Sequence, residues 1–186
     1  MLTLQQIINE AKTMIPNEFQ NGDFISWLNA INQDFFNVVK IPKIYRFTTV
    51  QGQSEYSCPS DVRAKNINLV QDSYTKYQSI MEDDVRPSQT FWAFDDETGK
   101  LTLTPAPLIS GLAGVLRYHR IATTTFTTSN LNVTPDAPPE YHWTYVPALC
   151  ERIALAMDDG VKAANFANQY RSAWNVAAAN YAGESA

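Results

Sequence analysis

Apolar residues recur at helical spacing over the first forty positions. Leu4, Ile7, Ile8, Ala11 and Ile15 share one face of a first helix, which Pro16 stops. Thr3 stands three residues before Gln6, the spacing of a capping box in which each side chain satisfies the other's free amide. Asn21-Gly22-Asp23 reads as a turn, with Asp23 as the N-cap of a second helix. The stripe of that helix is Phe24, Trp27, Leu28, Ile31, Phe35 and Val38, and it ends before Pro42. Two amphipathic helices so close in sequence predict an αα-hairpin.

The period changes to two at Lys43. Tyr45, Phe47 and Thr49 alternate, Gln51-Gly52-Gln53 turns the chain, and Tyr56 and Cys58 continue the alternation up to a second turn at Pro59-Ser60-Asp61. Ile67 and Leu69 alternate again, Tyr74 and Tyr77 flank a short polar strand or loop, and residues 79–88 have room for one helical turn. Phe91–Phe94 and Leu101–Thr104 read as a hairpin around Asp95-Asp96-Glu97-Thr98-Gly99. Pro105 and Pro107 close that strand, because proline cannot donate to a ladder. Ala113, Val115, Arg117 and His119 mark a last strand.

Residues 123–137 are rich in Thr and Pro and read as a linker; helical signals then return. Pro139 suits a first helical position, and Tyr141, Tyr145, Leu149, Ile153, Ala156 and Met157 share a face. Pro147 is expected to kink that helix or split it. Asp158-Asp159-Gly160 breaks it. A final helix runs over 161–182, with Phe166, Ala167, Tyr170, Trp174, Ala177 and Tyr181 inward and Gly183 as its stop. Runs of helices, then strands, then helices predict an α+β fold rather than a βαβ sheet. The expected architecture is a four-helix bundle, two helices N-terminal and two C-terminal, with an inserted small antiparallel β-lobe. It is expected as one domain over 1–186, the bundle taking 1–42 and 138–182 and the lobe 43–122.

Composition narrows the function. The 186 residues are 18% charged, against about 25% in ordinary domains. Sixteen Thr, 14 Asn, 10 Gln and 12% aromatics take up the difference. Interface cores are depleted in charge and enriched in aromatics, so this composition suits a subunit with neighbours on several sides. The net charge of −5 leaves no overall basic footprint for wrapping nucleic acid. Sign varies locally: residues 43–78 carry net +2 and residues 79–100 net −4, a distribution that would let identical copies meet head to tail, although a mixed solvated surface is the plain alternative. No apolar run reaches membrane-spanning length, so no membrane partner is expected. The first residues lack the basic and apolar regions of a signal peptide.

Candidate chemistry is sparse. His119, His142, Cys58 and Cys150 have no metal-ligand spacing, and the two cysteines read as small buried hydrophobes of a chain from a reducing compartment. Glu82-Asp83-Asp84 and Asp95-Asp96-Glu97 lack the alternation and central Gly of a calcium loop and read as charged turn tips. No nucleophile elbow, zinc-protease motif, phosphate loop or dinucleotide fingerprint occurs. No catalytic residue, cofactor or metal is therefore expected; an enzyme reading would have to rest on groups such as His142 or Asp95.

Several blocks together carry a resemblance. Thr3–Ile15 with Asn17-Glu18-Phe19, the helix DFISWLNAINQDFF (Asp23–Phe36), YRFTTVQGQSEYSCPSDV (Tyr45–Val62) with its Tyr-x-x-Pro-x-Asp turn, GKLTLTPAP (Gly99–Pro107), RYHRIATT, and PPEYHWTYVPALCERIALAMDD (Pro138–Asp159) follow one another as in tailed-bacteriophage head-to-tail adaptor (connector or neck) proteins. Pro147 departs from that pattern. The resemblance implies a non-enzymatic virion component, assembled in the host cytoplasm. It implies a ring, typically of twelve copies, under the portal protein, joined to a downstream neck or tail protein, with genomic DNA passing through the lumen without sequence-specific binding. Another neck or tail component, such as a stopper, tail terminator or short-tail tube gatekeeper, stays open as an alternative. Tyr45, Phe47, Tyr56, Phe91, Trp92, Phe94 and Glu184 are the expected interface residues, since exposed aromatics anchor interfaces. The competing reading is that half or more of the aromatics fill the lobe's own core.

Overall fold

The computed structural model describes residues 1–80 and 90–182. Glu82-Asp83-Asp84, Gly183, Glu184 and most of the helical turn expected over 79–88 lie outside the described residues. The chain forms two compact units, one of Met1–Lys40 with Ala122–Ala186 and one of Ile41–Ile121.

The helical unit contains α1 (Leu4–Met14), α2 (Asn21–Val38), a 3₁₀ turn (Pro139–Thr144), α3 (Tyr145–Ala156) and α4 (Gly160–Ala182). The capping box of α1 forms: the Thr3 hydroxyl accepts from the Gln6 amide and the Gln6 side chain accepts from the Thr3 amide. α2 starts three residues earlier than expected. Gln20 is its N-cap, and Asp23, in the first turn, accepts from the Gln20 amide at 2.9 Å. Every residue from Tyr145 to Ala154 except Arg152 is buried, so α3 is the central helix, and α1, α2 and α4 each pack on it. α1 and α2 thus bury their stripes mainly on α3 rather than on each other as a hairpin. Pro147 sits in the first turn of α3, where its missing N–H has no intrahelical partner to lose. Residues 122–138 have no regular structure but belong to this unit: the Leu4 and Gln5 amides donate to the Val133 and Leu131 carbonyls at 3.0 and 2.9 Å, and Phe126 is buried.

The second unit overturns the expected fold class. Instead of a small antiparallel lobe it holds, among the described residues, seven strands: β1 (Pro42–Thr48), β2 (Glu55–Ser57), β3 (Ile67–Gln71), β4 (Lys76–Ser79), β5 (Phe91–Asp95), β6 (Lys100–Thr104) and β7 (Ala113–His119). They form one mixed sheet in the order β1-β7-β3-β4-β5-β6-β2, with β4 and β5 parallel. The two ends of the order approach each other. The Tyr45 hydroxyl donates to the Ser57 carbonyl at 3.1 Å and the Phe47 and Tyr56 rings lie 4.7 Å apart, so the sheet curls nearly into a barrel. The protein is therefore not a four-helix bundle with an appendage. Two causes explain the difference. The Gln51–Gln53 turn closes no hairpin, because β1 pairs with β7 and β2 with β6, and β2 and β4, of three and four residues, are too short for local alternation to say which strands they join. The β5–β6 hairpin does form; Gly99, at φ 67, supplies its left-handed turn residue.

The barrel core is Tyr56, Val62, Val70, Tyr77, Trp92, Leu101, Leu103, Leu116 and Tyr118. Phe47 lies across from Gly114 on β7, and its ring occupies the space a Cβ there would take. Gly114→Ala is expected to cost about 1–3 kcal/mol by overpacking, read as a lower urea midpoint. An unchanged midpoint would show that Phe47 does not cover Gly114.

Candidate functional site

Charged groups inside the helical unit meet along one cleft. Glu151 falls on the buried side of α3, where its carboxylate accepts from the Tyr170 hydroxyl at 2.6 Å and from Arg171 Nη2 at 3.0 Å. Burial, and then the bond to Glu151, hold the Tyr170 phenol above its ordinary range. Arg152 Nη2 pairs with Asp34 at 3.2 Å, while its buried Nε has no hydrogen-bond partner among the described residues. Asp34, Val38, Arg152, Tyr170, Arg171 and Asn175 line a cleft of about 300 Å³ here. Arg152 pairs with Asp34 at the cleft and Arg171 with the buried Glu151 behind it, so the two ion pairs brace α2, α3 and α4 together.

A second carboxylate anchors residues 122–138. Asp136 Oδ2 accepts from Asn32 Nδ2 and from the Thr123 and Thr124 amides at 2.8–2.9 Å, and Oδ1 accepts from the Thr124 hydroxyl at 2.7 Å. In the barrel unit Asp61 plays the matching part. It accepts from the buried Tyr118 hydroxyl at 2.8 Å and from Lys43 at 2.7 Å. Asp61 closes the Tyr-x-x-Pro-x-Asp block, whose Tyr56 hydroxyl donates to the Gln53 carbonyl and accepts from the Val50 amide. The block is thus a device for fixing a turn. Asp72 accepts from the Tyr74 and Thr75 amides and the Tyr77 hydroxyl; burial and that carboxylate push the Tyr77 phenol up to about 12.

All six aromatics expected at interfaces lie in the barrel unit. Tyr56 and Trp92 are buried in its core, at 6% exposure each. Tyr45, Phe47 and Phe94 are partly buried and pack against that core, and Phe91 is half-buried on β5. Glu184 lies outside the described residues. Other apolar side chains of the unit are more exposed, among them Val50 and Ile109, about half exposed, and Leu108, 82% exposed. They sit on a rigid tip, because the Thr49 hydroxyl donates to the Ile109 carbonyl and accepts from the Leu112 amide, and the Gln51 amide donates to Ser110 Oγ. Sequence reasoning placed Asp61 in a turn without its acceptor role, and missed Asp136 and Glu151. Of the latter two only Glu151 left a signal, as one acid between the buried Cys150 and Ile153 on the central helix.

The reactive residue types occupy structural positions. His142 is buried; its Nε2 lies 2.8 Å from the Ala137 carbonyl and its Nδ1 accepts from the Leu2 amide at 3.3 Å. That pairing leaves both ring nitrogens engaged within the fold. His119 rests 3.4 Å from the Asn68 amide. Burial pushes the thiols of Cys58 and Cys150 up to about 11, away from nucleophilic character at neutral pH. Among the described residues no group of three His, Cys, Asp or Glu could hold a metal, and no helix is long and apolar enough to cross a membrane.

No curated protein sequence matches the chain. The family model described as SU10 adaptor protein matches residues 2–185, spanning both units in one run. The chain therefore belongs to the SU10 adaptor protein family, a family of phage head-to-tail adaptors.

Proposed function

We propose that this chain is a structural subunit of a ring that docks under the portal protein. The ring links the DNA-filled capsid to a downstream neck or tail protein and lets the genome pass. The observation that carries this reading is the family match over residues 2–185. Three features support it. The net charge of −5 keeps the subunit from adhering to passing phosphate, whose binding grows with each charge neutralised. The histidines and cysteines are used in packing, in keeping with a subunit without catalysis. The low overall charge suits a surface that meets neighbours on several sides. Within the barrel, Tyr45, Phe47, Phe91 and Phe94 can offer ring edges to a neighbour, whereas Tyr56 and Trp92 would do so only by opening the core. Twelve copies would match the symmetry of a dodecameric portal.

Electron microscopy of the protein mixed with its cognate portal tests the reading. The expected image is an added ring on the portal's tail-facing end. Absence of portal binding would overturn it, and density confined to the tail would assign the chain to another neck or tail component.

A further inference from the structure

The register of the barrel sorts its side chains into two sets. Tyr45, Leu116, Val70 and Tyr77 stand opposite one another across β1, β7, β3 and β4, and all four face the core. The neighbouring rows therefore face out. One is Ile44, Arg117 and Leu69; the other is Arg46, Val115, Gln71 and Lys76. Arg46, Arg117 and Lys76 are exposed and have no ion-pair partner among the described residues. Ile44, 50% exposed, and the half-buried Leu69 and Val115 lie among them. Adjacent strands are about 4.8 Å apart, so cations and aliphatic side chains interleave over a few strand spacings. Such a mixture suits a protein surface with its own carboxylates better than a phosphate chain, which would leave the aliphatic groups without a partner.

The same unit carries the complementary feature. The β5–β6 turn projects Asp95, Asp96 and Glu97, all exposed. Asp95 is engaged within the turn by the Glu97 amide and the Thr98 hydroxyl, and Asp96 accepts from the Ala64 amide, which together hold the turn rigid. The Glu97 side chain has no partner among the described residues.

We propose that the outer face of β1, β7, β3 and β4, with Arg46, Arg117 and Lys76 around Ile44, Leu69 and Val115, receives the acidic β5–β6 turn of a second copy of this chain. The inference rests on the ring reading above and names the contact that joins its subunits. A basic face and an acidic turn at different places on one subunit make a heterologous contact, which closes into a ring when the rotation per subunit allows. Charge complementarity sets its direction, because a reversed subunit would bring cations against cations.

A charge swap tests it, with ring formation on the cognate portal counted by electron microscopy. Arg46→Glu with Arg117→Glu is expected to reduce rings at least about tenfold, a modest loss for juxtaposed like charges. Glu97→Arg alone should do the same, and combining all three substitutions should restore rings. Circular dichroism and urea unfolding should match the wild type, since these side chains are exposed and unpaired; Arg46→Gln with Arg117→Gln serves if the reversed pair misfolds. Rings that persist in both sets of variants would overturn this contact and leave the ring reading standing. Loss in the single sets without rescue in the combination would also overturn it, pointing to a portal, tail or nucleic-acid surface. A wild-type protein that binds portal without forming rings would overturn the ring reading itself.

Discussion

Trp174→Ala is expected to lower the stability of the helical unit by about 3–5 kcal/mol, the range for truncating a buried tryptophan. Trp174 is 3% exposed and sits where three elements of the unit converge. Its ring meets Phe35 of α2 edge-on at 5.4 Å and Tyr170 of its own helix at 4.7 Å. Its Nε1 donates at 2.9 Å to the Thr144 hydroxyl, which in turn donates to the Tyr141 carbonyl at 2.6 Å, just ahead of α3. Alanine removes both ring contacts and leaves a cavity whose walls belong to different helices, so no single side chain can fill it. Trp174→Phe separates the two contributions: it keeps most of the buried area and loses one hydrogen bond, for about 1–2 kcal/mol. Guanidinium unfolding followed by far-UV circular dichroism reads both variants. A shift under about 1 kcal/mol for the alanine variant, below the range for such truncations, would show that α4 does not dock on α2 through this residue.

The second large effect belongs to Asp136 and carries a pH signature. Burial raises the pKa of its carboxyl, but the bonds from Thr124, Asn32 and Thr123 outweigh burial, so the pKa lies below the ordinary carboxylate value. A lowered folded-state value means that the contribution is complete above the unfolded pKa, about 3.9, and is lost as pH falls through the folded value. Stability of the wild type should therefore decline on acidification below about pH 5, and Asp136→Asn should flatten part of that decline. At neutral pH Asp136→Ala is expected to cost about 2–4 kcal/mol, because hydrogen bonds to a charged acceptor are worth more than neutral ones and do not add fully. Asn32, 1% exposed, would lose the acceptor of its amide, while its own carbonyl oxygen still accepts from the Tyr145 hydroxyl at 2.8 Å. An alanine variant as stable as the wild type from pH 3 to pH 7 would rule out the anchoring role; that interval brackets the ordinary carboxylate range.

Legibility differed between the two units for a physical reason. The start of α1 was readable because a capping box is a local exchange of hydrogen bonds between residues three apart. The inward face of α4 was readable for the same kind of reason: Ala167, Tyr170, Trp174 and Ala177 repeat at helical spacing, and all four are buried. The β5–β6 hairpin was equally local, closed by a glycine turn. The pairing of β1 with β7 joins residues about seventy positions apart in the chain and carries no local signature. The expected helical bundle differs from the structure for a related reason. α3 is buried nearly all round, and a stripe drawn for a half-exposed helix does not describe a central one.

For the candidate surfaces the division is sharper. The acidic β5–β6 turn and the net positive charge over residues 43–78 were visible as composition. Which cations share a face was not, because β-bridges between β1, β7, β3 and β4 bring Arg46, Lys76 and Arg117 together. The aromatics chosen for contacts show the reverse. Period two marks Tyr45, Phe47 and Tyr56 as strand residues but does not say which side of the sheet faces a core. Asp136 looks in sequence like any other acid, and Asp61, Asp136 and Glu151 each become a fixed acceptor only when donors arrive from other segments.

By itself the sequence determined what depends on neighbours a few residues apart: the capping box of α1, the helical stripes, the β5–β6 hairpin, the low charge and the order of blocks that marks the adaptor family. Only the tertiary structure decided the sheet order, the curling toward a barrel, the central place of α3 and the side to which each strand residue points. Helical periodicity and turn chemistry are set within one or two turns of chain. Strand pairing and burial depend on which distant segments exclude water from each other, and no local pattern encodes that choice.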